Sequence, residues 1–122
     1  MAHYRKRQGS NWIRRDKRWA IYIRDKFACV WCGGTEGGLT LDHIFVTGSR
    51  FRDNHARRIV TACFTCNRRR GQVRLSAWLR FMLVRGAAVR LQHSRATPLN
   101  LQAARKDRES LWAPLAVGGA LW

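Results

Sequence analysis

The sequence predicts a small α+β fold, in which two short β-strands form part of one domain with helices before and after them. Three observations favour this class. The chain has 122 residues, a length that suits one domain with a modest hydrophobic core. Two short segments of alternating or β-branched residues lie between segments whose apolar residues recur at helical spacing. Four cysteines, arranged as two CxxC pairs, stand before the first strand segment and after the second.

The first half of the chain is predicted to form a helix, a turn-rich segment and a strand. In residues 11–25 the apolar side chains lie near helical spacing, and Ser10 or Asn11 can cap the helix. Residues 29–38 contain the first CxxC pair and four glycines, a composition typical of a tight turn. Residues 39–45 then alternate as expected for a β-strand.

The second half continues with a loop, a strand and two helices. Residues 46–57 are polar and indicate a loop, whereas residues 58–62 are partly β-branched and predict the second strand. A helix begins at Cys63. Residues 76–86 predict another helix, with a serine as its N-cap and a glycine as its stop.

The C-terminal segment is predicted to contain a last helix, which begins at Thr97 and Pro98 and ends before Pro114. The sequence has no internal repeat and no low-complexity linker, so we expect one compact unit. We divide it into a basic N-terminal arm, a main domain and a C-terminal helical extension, at residues 1–10, 11–86 and 87–122.

The charge of the chain indicates a polyanionic partner. It has 24 Lys and Arg residues against 7 Asp and Glu, a formal net charge of +17 at pH 7. Most of the cations are arginines, whose guanidinium groups pair with phosphate oxygens, so we expect a nucleic acid partner. No stretch is apolar enough to span a bilayer, and residues 1–10 lead into no apolar segment of the kind found in secretory signals. We therefore expect a cytoplasmic, reducing location and no membrane partner.

The cysteines predict a structural zinc site. Cys29 and Cys32 form one CxxC pair, and Cys63 and Cys66 form the other. Two residues between ligands let both sulfurs of a pair face one ion, and four thiolates close a tetrahedron around Zn²⁺ with no open position. Disulfides are the alternative, but a reducing location disfavours them. Zinc binding would supply much of the folding free energy of so small a domain.

Three residues beside the cysteine pairs point to phosphodiester hydrolysis. Asp42 and His43 follow the first pair, and Asn67 follows the last cysteine directly. Histidine can take a proton from water near neutral pH, and carboxylate and amide oxygens suit Mg²⁺ or Mn²⁺. Neighbours in a regular strand point to opposite faces. Asp42 and His43 can therefore serve one site only if the strand twists, bulges or ends there.

The ordered combination CVWCG, LDHIF and IVTACFTCNRRRG resembles the HNH endonuclease family, over about residues 12–86. The segment NWIRRDKRWAIYIRDKFACVWCG also looks like the lead-in helix of its phage-type members. The resemblance implies a ββα-metal (His-Me finger) core, with His43 as general base, Asp42 and Asn67 as ligands of the catalytic ion, and the cysteines on zinc. It implies Mg²⁺, Mn²⁺ or Ni²⁺ as that ion, and nicks or double-strand breaks in DNA as products.

The resemblance also suggests partners. Phage-type members often sit beside DNA-packaging machinery, so a terminase or packaging protein in the cytoplasm of a bacterial host is a partner by analogy. The chain has no recognisable second domain for reading bases. We therefore expect cleavage with little sequence specificity, by a monomer or a homodimer.

One position departs from the family pattern. The family's middle Asn lies five residues before the third cysteine, where this chain has Arg58. That Asn holds the loop that orients the base, so Asn54 or His55 can take its place; alternatively, Arg58 contacts the phosphate itself. Further arginines are expected to bind the DNA backbone: Arg50, Arg52, Arg57, Arg68, Arg69 and Arg70.

Two other functions stay open at this point. A non-catalytic zinc module would bind DNA or RNA without cutting it, although the presence of Asp42, His43 and Asn67 disfavours this reading. The other function is that of an RNase or RNA-binding protein, because nothing in the sequence distinguishes a protein that recognises the 2′-hydroxyl groups of RNA from one that binds DNA.

Overall fold

The structure is a computed structural model that describes residues 13–35, 37–46 and 55–106. The elements in chain order are α1 (Arg15–Arg24), β1 (Leu39–His43), a 3-10 turn (Ala56–Arg58), β2 (Ile59–Cys63), α2 (Phe64–Arg70), α3 (Leu75–Val84) and α4 (Leu91–Ala96). Residues 101–106 are again helical. No helix in these ranges is long and apolar enough to cross a membrane.

β1 and β2 form a two-stranded antiparallel sheet, in agreement with the predicted class of helices around two short strands. Leu39 pairs with Cys63, and His43 pairs with Ile59. All five residues of β2 are buried. The reason is its position, since β2 contacts both α1 and α2.

Two apolar clusters cover the two faces of the sheet. One surrounds the cysteines and includes Trp31 and Trp78, whose rings meet edge to face at 6.3 Å. The other joins α1 to the sheet and includes Trp19. Neighbouring residues of β2 divide between them, Val60 with the cysteine cluster and Ile59 with the α1 cluster, as the alternation of a strand requires.

The helix ends differ from the sequence prediction. α3 begins after Arg74, which forms no side-chain cap, so the predicted serine cap is wrong. Thr97 was expected to start a helix but ends α4, where its hydroxyl donates to the carbonyl oxygen of His93 at 2.9 Å. The next helix is capped by Asn100, whose side-chain oxygen accepts a hydrogen bond from the backbone N–H of Ala103 at 2.9 Å.

The described part of the C-terminal extension packs into the same body as the main domain. Ala104 is fully buried in the α1 cluster. The Arg90 N–H donates to the carbonyl oxygen of Val30 at 2.8 Å, next to the first cysteine pair. The sequence did not predict α4, which lies in this segment.

Candidate functional site

The four cysteine side chains form one cluster. Their sulfur atoms lie within 4.8 Å of one another, and all four are free thiols. The sulfurs of Cys32 and Cys63 are 3.9 Å apart, close to the roughly 3.8 Å that separates two ligands of a tetrahedral zinc ion with Zn–S bonds of about 2.3 Å. The cluster fits the predicted structural zinc ion.

The turn of the first cysteine pair depends on two glycines. The Cys29 N–H donates to the carbonyl oxygen of Gly34 at 2.8 Å, and the Gly33 N–H donates back to that of Cys29 at 2.7 Å. Gly33 has a φ of +80°, which glycine adopts without strain. A Cβ added at Gly34 would lie 3.3 Å from the Cys32 sulfur, so a side chain there would crowd a metal ligand.

The thiols of the cluster differ in acidity. Burial raises the pKa of Cys29 to about 11. Burial, together with the nearby thiols, also raises the pKa of Cys66. At Cys63 burial acts in the same direction, but hydrogen bonds from the Cys66 N–H and the other thiols outweigh it and lower the pKa. A metal that binds here must displace protons from the buried thiols.

Asp42 lies on the cysteine-facing side of β1, opposite Val60. Its Oδ2 accepts hydrogen bonds from Trp31 Nε1 and from Arg70 Nη1, both at 3.0 Å. Burial raises the pKa of Asp42, and the charge and hydrogen bond of Arg70 oppose that rise. Because Trp31 stands between the two cysteines of the first pair, its indole connects the cysteine cluster to Asp42.

Arg70 is buried, which corrects the prediction that it binds the DNA backbone. Its side chain is 1% exposed and stacks 5.3 Å from the Trp31 ring centre. The guanidinium donates to four acceptors, which are the Asp42 carboxylate and the carbonyl oxygens of His43, Ile44 and Val73. Its neighbours Arg68 and Arg69 are exposed and stay predicted contacts to DNA.

We expect Arg70→Lys to destabilise the protein by about 1–3 kcal/mol, because lysine keeps the charge but leaves buried carbonyl oxygens without a donor. Urea unfolding measures the change. Arg69→Lys is the matched control, since it alters an exposed neighbour in the same helix and should stay within about 0.5 kcal/mol. Equal stabilities of the two variants would show that the buried hydrogen bonds of Arg70 do not stabilise the fold.

Asn67 is held on the same face as Asp42. Its Nδ2 donates to Thr40 Oγ1 at 2.8 Å and to the Leu41 carbonyl oxygen at 3.2 Å. Because the amide nitrogen faces β1, its Oδ1 is the atom left to accept a hydrogen bond or bind a metal. Asn67 of α2 therefore lies over the face of β1 that carries Thr40 and Asp42.

His43 is the last residue of β1. The strand therefore ends here, which is one of the three conditions under which Asp42 and His43 can serve the same site. Its partner in the register, Ile59, belongs to the α1 cluster. Strand alternation thus places His43 on the face opposite to Asp42. The side chain is half-buried.

Three further predicted site residues lie beyond this end of the sheet: His55, Arg57 and Arg58. The Arg58 guanidinium lies 5.9 Å from the centre of the Phe45 ring. His55 caps the 3-10 turn, where its Nδ1 accepts a hydrogen bond from the Arg57 N–H at 3.2 Å. Arg57 is exposed. Three predicted residues lie outside the described ranges: Arg50, Arg52 and Asn54.

A buried ion pair behind β2 was not predicted from the sequence. Arg24 and Asp25 pair at 2.8 Å, with side chains 2% and 0% exposed. Asp25 also accepts hydrogen bonds from the Thr61 N–H at 2.8 Å and from the Ser94 hydroxyl at 2.7 Å. The pair therefore ties the end of α1 to β2 and α4. The only signal in the sequence was an adjacent Arg and Asp, which is too common to predict burial.

The carboxylates of the described ranges are all paired with arginines and withdrawn from solvent. Asp16, Asp25 and Asp42 have side chains at most 11% exposed. The surface of these ranges consequently carries arginines and lysines without an exposed carboxylate, a distribution that favours binding of a polyanion.

Comparison of the chain with protein-family models, curated proteins and solved structures finds no match.

Proposed function

We propose that the chain is a metal-dependent DNA endonuclease with little sequence specificity. The observation that carries this proposal is that Asp42 and Asn67 lie on the same face of β1, with His43 at the end of the same strand. The order β1, β2 and α2 also agrees with the strand–strand–helix order of the ββα-metal core that the motif resemblance implies. The cysteine cluster would hold structural zinc, which fixes α2 against the sheet.

Each residue has a role that its surroundings support. Asp42 and Asn67 would hold one divalent ion, Mg²⁺ or Mn²⁺, which when bound neutralises charge on the phosphate. His43 would take the proton of the attacking water. A phosphate that lies across the end of β1 can meet groups from both faces of the strand, since the strand stops at His43. Arg70 favours the ionised form of Asp42.

A second function is a zinc-stabilised module that binds nucleic acid without cutting it. One observation favours it, because Oδ2 of Asp42 is already engaged by Arg70 and Trp31. In the endonuclease the other carboxylate oxygen would have to serve the ion. The two functions differ in cleavage and agree in binding, so a cleavage assay separates them.

The test is the conversion of supercoiled plasmid to nicked or linear DNA by the zinc-loaded protein. We expect cleavage with added Mg²⁺ or Mn²⁺ and none without added divalent ion; a chelator is unsuitable as the control because it would also remove zinc. His43→Ala should lower the rate by about 10²–10⁴-fold, the usual contribution of a general base.

The matched control is His93→Ala, which removes an exposed histidine of α4 and should leave the rate unchanged. DNA retardation without cleavage under every ion would replace the endonuclease by the binding module. In either case the affinity should fall steeply with salt, because phosphate contacts dominate it.

A further inference from the structure

A groove of about 530 Å³ lies between the 3-10 turn and the end of α4. Its lining combines arginines from both sides with an apolar surface. The exposed arginines are Arg57 and Arg95, and the apolar part includes Ala96, Pro98 and Leu99. Among the residues that the structure describes, no carboxylate lines it. The volume is that of a site for a small molecule, which suits one nucleotide and is too small for a duplex.

The groove lies at the end of the sheet that carries His43. Arg24, which also lines it, donates to the carbonyl oxygens of Ala56 and Ile59 at 2.8 and 2.7 Å. Ile59 is the register partner of His43. A nucleic acid strand that reaches His43 therefore passes close to the groove.

Arg95 is held in place at this end by an aromatic ring. Its guanidinium lies 5.7 Å from the centre of the Phe45 ring, which Arg58 approaches at 5.9 Å. Phe45 follows His43 by two residues and is 38% exposed. A guanidinium positioned by a ring loses less freedom when it binds phosphate, so Arg95 is well placed to bind an anion.

We propose that this groove binds an unpaired nucleotide of the DNA strand that enters the active site, with its phosphate on Arg57 and Arg95. An apolar lining can receive a base or sugar only when the base is out of a duplex, because stacked bases are not accessible to a narrow site. The protein should thus prefer DNA that has a single-stranded tail beside the duplex. This inference rests on the proposed function for its substrate, DNA.

Fluorescence anisotropy tests the proposal with two labelled DNAs of equal nucleotide number, a duplex with a single-stranded tail and a blunt duplex, without added divalent ion. We expect the tailed DNA to bind more tightly. Arg95→Gln should lower that affinity by roughly tenfold, as for one charged hydrogen bond. It should also reduce the slope of log K against log salt by about 0.7, the value for one phosphate of a single strand. Binding of the blunt duplex should change little.

The matched control is Arg85→Gln. Arg85 also lies over a ring, 5.0 Å from the centre of Phe81, but it follows α3 and does not line the groove. Equal affinities for tailed and blunt DNA, or an equal loss with both in Arg95→Gln, would overturn the proposal. Because the readout is binding, a tail preference without plasmid cleavage would refute the endonuclease and leave the nucleotide groove standing.

Discussion

Removal of zinc is expected to unfold the protein. Binding of a structural zinc ion by cysteine ligands is worth on the order of 10–16 kcal/mol, whereas whole domains are stable by only about 5–15 kcal/mol. Three of the four cysteines, Cys29, Cys63 and Cys66, belong to one of the two apolar clusters. α2 has only seven residues, too few to be stable alone. Without the ion, no bond would hold the four cysteines together, and α2 would lose its attachment to the first cysteine pair.

Circular dichroism and tryptophan fluorescence, read together with the zinc content, measure this effect. We expect one zinc per chain, and a loss of helical signal both on chelation and in Cys66→Ser. Thr65→Ala is the matched control, since Thr65 lies exposed between the ligands of the second pair and supplies no sulfur. A zinc-free protein that keeps the thermal transition of the loaded form would refute the structural role of the ion.

Asp25→Ala is expected to destabilise the folded, zinc-loaded protein by about 3–5 kcal/mol. The substitution leaves the Arg24 guanidinium buried without its counter-charge, and loss of one partner of a buried pair has a cost of this size. It also removes the acceptor of the Thr61 N–H and of the Ser94 hydroxyl. The loss should therefore loosen α1, β2 and α4 together.

Urea unfolding of the zinc-loaded protein measures this change. Asp16→Ala is the matched control at the other end of α1, because Asp16 pairs with Arg14 and Arg105, whose side chains are 68% and 56% exposed. Because water screens the exposed guanidinium of each pair, we expect these pairs to contribute at most about 1 kcal/mol. If Asp25→Ala cost no more than Asp16→Ala, the buried pair would not be the connection between these elements.

The sequence was most informative where a pattern of residues is compatible with only a few local structures. Two CxxC pairs leave little choice about which sulfurs meet, and Cys29, Cys32, Cys63 and Cys66 cluster in the structure. Alternation along residues 39–45 and the β-branched residues of 58–62 predicted both strands to within two residues of their observed ends. The endonuclease function and the roles of His43, Asp42 and Asn67 stay predictions, which the plasmid assay addresses.

Arginine was where the sequence was least informative. Arg68, Arg69 and Arg70 look alike in the sequence, yet the first two are exposed and the third is buried. The difference arises because Arg70 lies on the side of α2 that faces Asp42 and the carbonyl oxygen of His43, where its guanidinium finds acceptors. Arg24 is also buried, and it donates to the carbonyl oxygen of Ile59, the first residue of β2. From composition alone, Arg24 and Arg70 count as positive surface charge, but both side chains are buried.

The sequence by itself thus determined the local features of this protein, namely the cysteine pairs, the two strands and the excess of positive charge. These depend on residues close together in the chain or on composition alone. Only the tertiary structure decided which arginines are buried, that Trp31 joins the cysteine cluster to Asp42, and that Ser94 of α4 completes the contacts of Asp25. The partners in the last contact are 69 residues apart, and such contacts are chosen by the packing of the whole chain.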